Sequence, residues 1–69
     1  MKYAQKLRNK RKKAGFTQEK VARKLNVSRV TISDWERGRT RPDFEILEKL
    51  FQLYHFSEEE IQLFFGKEE

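Results

Sequence analysis

One stretch restricts what this 69-residue chain can fold into more than any other: QEKVARKLNVSRVTISDW, residues 18–35. Val21, Leu25, Val27, Ile32 and Trp35 fall where two short helices crossing at a steep angle would bury them. Ala22 is small at the point where the two backbones must approach. Between the helices, Asn26 suits the left-handed conformation that stops the first, and Ser28 offers an oxygen to cap the second. The pattern predicts a helix-turn-helix, with a second helix from Arg29 to about Arg37.

The flanking residues supply three more helices. Tyr3, Leu7, Arg11 and Ala14 recur at helical spacing from about Lys2 to Lys13, provided the aliphatic stem of Arg11 lies on the buried side. Gly15 ends that helix and Phe16 returns to the core. Thr17 caps the helix that begins at Gln18. After Gly38, the loop RTRP leads to Asp43, a cap for a helix from about Phe44 to Tyr54. Phe44, Leu47, Phe51 and Tyr54 form a stripe on it, and Ile46, Leu50 and Leu53 widen that stripe enough to predict a central core helix buried on most sides. Ser57 and Glu60 make a capping box for a last helix from about Glu58 to Phe65, with Ile61, Phe64 and Phe65 as its apolar stripe. The expectation is an all-α, compact five-helix bundle forming one domain over residues 1–69, and 36% hydrophobic residues with only three glycines and one proline agree with it.

The net charge of +5 conceals a polarity along the chain. Through Arg41, fourteen lysines and arginines face three acids, a net of +11; from Pro42 onward, two face eight, a net of −6. A basic half that contains the helix-turn-helix would draw a polyanion, and an acidic half would face away from it or meet a protein partner. With no cysteine and a single histidine, His55, the sequence provides no thiolate metal site and no catalytic constellation. No metal, no cofactor, no small-molecule substrate and no enzymatic activity are expected. Nothing reads as a signal peptide or membrane span, so a cytoplasmic location is expected.

Double-stranded DNA is the polyanion that a helix-turn-helix addresses, with its second helix in the major groove. Once Ile32 and Trp35 are assigned to the core, Arg29, Val30, Ser33, Asp34 and Arg37 occupy the other face of that helix. Arginine can bond both acceptors of guanine, and an apolar side chain can touch the thymine methyl, which makes Arg29 and Val30 the main candidates for base reading, with Ser33 beside them. Asp34 either accepts from cytosine or holds a neighbouring arginine, and the second role is favoured because a carboxylate near phosphates is costly. Gln18, beside free backbone N–H groups, is a candidate phosphate contact. Ser28, Thr31, Arg37, Arg39, Thr40 and Arg41 are the others, at the ends of the reading helix and in the loop after it.

The phrase FTQEKVARKLNVSRVTISDWERGRTRP, followed by two helices joined through LYHFS, resembles the Cro/C1-type helix-turn-helix family of phage repressors and their bacterial relatives, the Xre family. The resemblance covers nearly the whole chain. It implies a repressor-like five-helix fold, commonly dimeric on a roughly palindromic operator, with Gln18 on phosphate, Arg29, Val30 and Asp34 at base-reading positions, and Arg39 to Arg41 along a DNA strand. It also implies an ion pair between Arg11 and Glu36. Asn26 and His55 stand where the family usually has glycine; both tolerate positive φ better than most residues.

The function expected is a sequence-specific DNA-binding transcriptional regulator, a repressor acting as a homodimer through Leu63, Phe64 and Phe65. The rival is a protein-interaction module, such as an antitoxin or adaptor, whose partner binds the apolar surface of the last two helices.

Overall fold

Every helix starts at a side chain that accepts hydrogen bonds, or ends at a left-handed residue, where local chemistry requires one. The computed structural model describes residues 2–66. The helices are α1 (Lys2–Lys13), α2 (Gln18–Leu25), α3 (Arg29–Arg37), α4 (Phe44–Leu53) and α5 (Glu58–Gly66). Thr17 caps α2 by accepting from the Lys20 N–H, Ser28 caps α3 through the Thr31 N–H, and Asp43 caps α4 through the Ile46 N–H. The capping box of α5 closes in both directions: Ser57 Oγ accepts from the Glu60 N–H at 3.1 Å, and Glu60 Oε1 accepts from the Ser57 N–H at 2.8 Å. Asn26 (φ 59°) and His55 (φ 60°) adopt the left-handed conformation at the ends of α2 and α4, as Gly15 and Gly38 do after α1 and α3. Among the described residues there is no strand, and no helix is long and apolar enough to cross a membrane.

The core draws on all five helices. Tyr3 and Leu7 of α1, Val21 and Ala22 of α2, Ile32 and Trp35 of α3, Leu50 and Phe51 of α4, Tyr54 after it and Phe64 of α5 form one buried cluster. Val21, Ile32 and Leu50 are fully enclosed, each such burial contributing about 1.5–3 kcal/mol. α3 packs on both α2 and α1. The turn between α2 and α3 closes as the Val27 N–H donates to the Ala22 carbonyl at 2.9 Å, which keeps the two helices close at their small residue. α5 is held to α1 by Lys10, whose Nζ lies 3.0 Å from Glu60 Oε1 and over the Phe56 ring. Lys10 is therefore committed to this contact.

Three features depart from the sequence reading. α4 is not buried on most sides: Leu50 and Phe51 are buried, but Ile46, Leu47 and Leu53 are half-buried and Phe44 is 62% exposed. A chain this short encloses only about 60% of its extended surface, and the first turn of α4 is among the parts left uncovered. Helix lengths differ slightly, since Tyr54 lies just past α4 and Gly66 completes α5. Phe64, expected at an interface, is instead core: its ring meets Tyr3, Phe51 and Phe56 edge-on at 5.3–6.0 Å. Leu63 and Phe65 remain exposed, and Phe65 stands 6.3 Å from the ring of Phe44.

Candidate nucleic-acid interface

The face of α3 opposite Ile32 and Trp35 is turned away from the core, and its exposure is uneven. Arg29, Val30 and Arg37 are exposed, whereas Thr31, Ser33 and Asp34 are half-buried. Val30 is 62% exposed; a β-branched apolar side chain gains nothing from water there and weakens helix propensity slightly. At the start of the helix, Ser28 Oγ accepts from the Thr31 N–H and sits 2.9 Å from Thr31 Oγ1. The same arrangement at Thr17 satisfies the Lys20 N–H, and the amides before it in α2, like those at any helix start, have no partner within the helix.

Behind the exposed face lies a buried ion pair. Arg11 Nε donates to Glu36 Oε2 at 2.7 Å and Arg11 Nη2 donates to Oε1 at 3.0 Å, a bidentate pair whose side chains are only 9% and 4% exposed. Arg11 Nη1 donates to the Phe16 carbonyl at 2.9 Å, so one guanidinium joins α1, the turn before α2 and the end of α3. The hydrogen bond to Glu36 raises the Arg11 pKa above its ordinary value despite the opposing effect of burial. Nearby, burial pushes the Tyr54 phenol well up, with Glu36 adding to the shift.

Gln18 connects this pair to the surface. Its Nε2 donates to Glu36 Oε1 at 3.0 Å, and its Oε1 accepts from Arg29 Nη1 at 3.3 Å. The amide is thus occupied on both sides, and a phosphate ligand at Gln18 would meet the backbone amide first. Arg8, Gln18, Arg29, Ser33 and Arg37 line one polar groove over the ion pair. Arg8 was not singled out by sequence, because among so many cations nothing but the packing of α1 on α3 distinguishes it.

The remaining candidates lie at the far end of α3. Gly38 turns the chain with φ 78°, and the Arg39 N–H donates to the Asp34 carbonyl at 2.9 Å. Arg39, Thr40 and Arg41 follow as an exposed loop. The Asp34 carboxylate holds no arginine among the described residues, contrary to the role favoured for it by sequence; its contribution to the turn comes from its backbone. Arg11, Gln18, Arg29 and Glu36 are therefore linked directly, whereas Arg39 to Arg41 form a separate edge. Among the described residues, no group of three or more histidines and carboxylates could hold a metal ion.

Comparison with known proteins agrees with this geometry. A helix-turn-helix family model matches residues 7–61. The HTH-type transcriptional regulator ImmR of Bacillus subtilis is 40% identical over 57 residues, covering 83% of this chain and 45% of that protein. The HTH-type transcriptional activator BcrR of Enterococcus faecalis is 34% identical over 61 residues, covering 88% of this chain and 30% of that protein. An uncharacterized HTH-type transcriptional regulator of Archaeoglobus fulgidus is 32% identical over 62 residues, covering 90% of this chain and 89% of the relative. The chain spans less than half the length of the first two and most of the third.

Proposed function

The chain belongs to the Cro/C1-type helix-turn-helix family, and from that premise we propose that it is a sequence-specific DNA-binding transcriptional regulator of the cytoplasm, with α3 in the major groove. The observation that carries the reading is Val30, an apolar side chain left exposed beside Arg29 on a helix whose opposite face is buried. Arg29 bonds guanine, Val30 meets a thymine methyl, and Ser33 and Asp34 lie at the edge of the same base set. The amides at the starts of α2 and α3, with Gln18, Ser28, Thr31, Arg37, Arg39, Thr40 and Arg41, hold phosphates and set the register.

The regulator acts as a repressor, because occupation of an operator blocks a promoter without needing any further surface. It binds as a homodimer on a roughly palindromic site, with reading helices ~34 Å apart in successive major grooves. The exposed side chains of Leu63 and Phe65, together with Phe44, support a partner surface on α4 and α5. The same surface supports the second reading, an adaptor or antitoxin that binds a different protein there.

Selection from randomised duplexes, followed by titration of variants, tests the proposal. Arg29→Ala is expected to relax preference at one base pair per half-site by ~1–3 kcal/mol. Arg39→Ala should weaken binding to all sequences alike and reduce the salt slope by about 0.9. Unchanged preference in Arg29→Ala and an unchanged slope in Arg39→Ala would refute this docking, and recovery of unpaired half-sites would refute the palindrome.

A further inference from the structure

We infer that Tyr3, a core residue outside the helix-turn-helix, is a positioning residue that holds the loop Arg39 to Arg41 in its DNA-binding form; the inference rests on the DNA reading above. Tyr3 is 4% exposed and its ring packs edge-on against Phe64 at 6.0 Å. From that fixed position it reaches the loop twice. Its hydroxyl donates to the Thr40 carbonyl at 3.1 Å, across 37 residues of sequence. Its ring face carries the Arg41 guanidinium, whose central carbon lies 4.7 Å from the ring centroid.

Both contacts fall on the part of the loop that lacks other support. The end of α3 holds Gly38 and Arg39 by backbone hydrogen bonds, and Asp43 begins the cap of α4. Among the described residues, no other hydrogen bond reaches Thr40 or Arg41, and no carboxylate pairs with Arg41. A guanidinium over an aromatic face keeps the donors at its edge available, since stacking uses the face of the cation and not its N–H groups. An arginine so placed has already lost much of its rotamer freedom before it meets phosphate, and that loss is no longer charged against binding. Because Phe64 backs the ring, the same contacts link the DNA-facing loop to α5.

The test is a double-mutant cycle, read by fluorescence anisotropy on the selected operator, with Tyr3→Phe, Tyr3→Leu, Arg41→Ala and the combination Tyr3→Leu/Arg41→Ala. Tyr3→Phe keeps the ring and should lose about threefold in affinity, the share of one hydrogen bond. Tyr3→Leu loses the ring as well and should bind roughly tenfold more weakly, with base preference unaltered. With Arg41 already alanine, Tyr3→Leu should cost only about the threefold of the hydroxyl, a coupling that general loosening of the core would not produce. In the free protein, ring-current shifts of the Arg41 side-chain protons should persist in Tyr3→Phe and vanish in Tyr3→Leu.

A folded Tyr3→Leu that binds like the wild type, or loses as much with Arg41 absent as with it present, overturns the inference alone. If Tyr3→Leu does not fold, Tyr3→Phe decides, and unchanged affinity overturns it. A wild-type protein that selects no duplex overturns the DNA reading and this inference with it.

Discussion

Glu36→Gln changes one atom of a buried carboxylate and should remove a large part of the stability of the fold. Glu36 accepts three hydrogen bonds, two from Arg11 and one from Gln18, at 2.7–3.0 Å. The amide keeps a single acceptor oxygen. If that oxygen serves Arg11 Nε, the amide nitrogen faces two donors, Arg11 Nη2 and Gln18 Nε2, and the guanidinium stays buried without a countercharge. A hydrogen bond to a charged group contributes ~1.5–3 kcal/mol, and breaking one side of a buried pair costs ~3–5 kcal/mol. Since one acceptor survives, the expected loss is about 3 kcal/mol. A chain of this size has a total of only ~3–10 kcal/mol, taken at the usual value per residue. Urea unfolding followed by fluorescence of Trp35, the sole tryptophan and a buried neighbour in sequence, would measure the loss. The companion variant Arg11→Met/Glu36→Leu removes both charges and leaves the Phe16 carbonyl and the Gln18 Nε2 donor without the partners they have here. It should be more stable than Glu36→Gln by ~1–2 kcal/mol. A loss below ~1 kcal/mol in the single variant at constant m-value, or a double variant no more stable than the single, would refute the reasoning.

Three further outcomes are expected. His55→Gly relieves a left-handed conformation at φ 60° and should gain ~0.5 kcal/mol in thermal unfolding, the relief exceeding the added chain entropy. The Ser57 backbone N–H first, and Lys10 second, hold the Glu60 carboxyl below its ordinary 4.5. Its stabilising contribution is therefore complete above pH 4.5 and disappears as pH falls through the lowered value; hydrogen exchange of α5 amides should show this acid step in the wild type and lack it in Glu60→Gln. Arg8→Ala should leave stability within ~0.5 kcal/mol and lower the salt slope of DNA binding by about 0.9, measured on the selected operator with base preference unchanged.

The parts of the fold that were legible in sequence are those decided within a few residues. Thr17, Ser28, Asp43 and the Ser57–Glu60 box each satisfy amides one turn away, and Asn26 or His55 reverses the chain through its own φ. Each signal is therefore present wherever the local sequence is. Burial is different, because it depends on which surfaces the remaining chain can cover. The stripe on α4 marked Phe44 and Phe51 alike, but Phe51 is buried against both Phe64 and Phe65 of α5, whereas Phe44 meets Phe65 and stays exposed. Periodicity likewise placed Phe64 and Phe65 together on α5; the packing of Tyr3 and Phe56 against Phe64 separates core from surface. At the candidate site, Arg29 and Val30 were legible because Ile32 and Trp35 fix which face of α3 is buried. The link from Gln18 to Glu36 and the place of Arg8 were not, since both depend on how α1 and α2 meet α3 in space. Asp34 shows the same limit in reverse: the cost of a carboxylate near phosphates suggested an arginine partner that the geometry does not provide.

The division within α3 has a consequence for how such a chain can change over generations. Ile32 and Trp35 bind the helix to the rest of the molecule, while Arg29 and Val30 project from it, Arg29 keeping one exposed hydrogen bond to Gln18. Substitution at the projecting pair is therefore nearly neutral for folding, and on the proposed reading it redirects the protein to another operator. A population can drift toward new DNA targets through those two codons without passing through unfolded intermediates, and the inheritance of shape is separated from the inheritance of address.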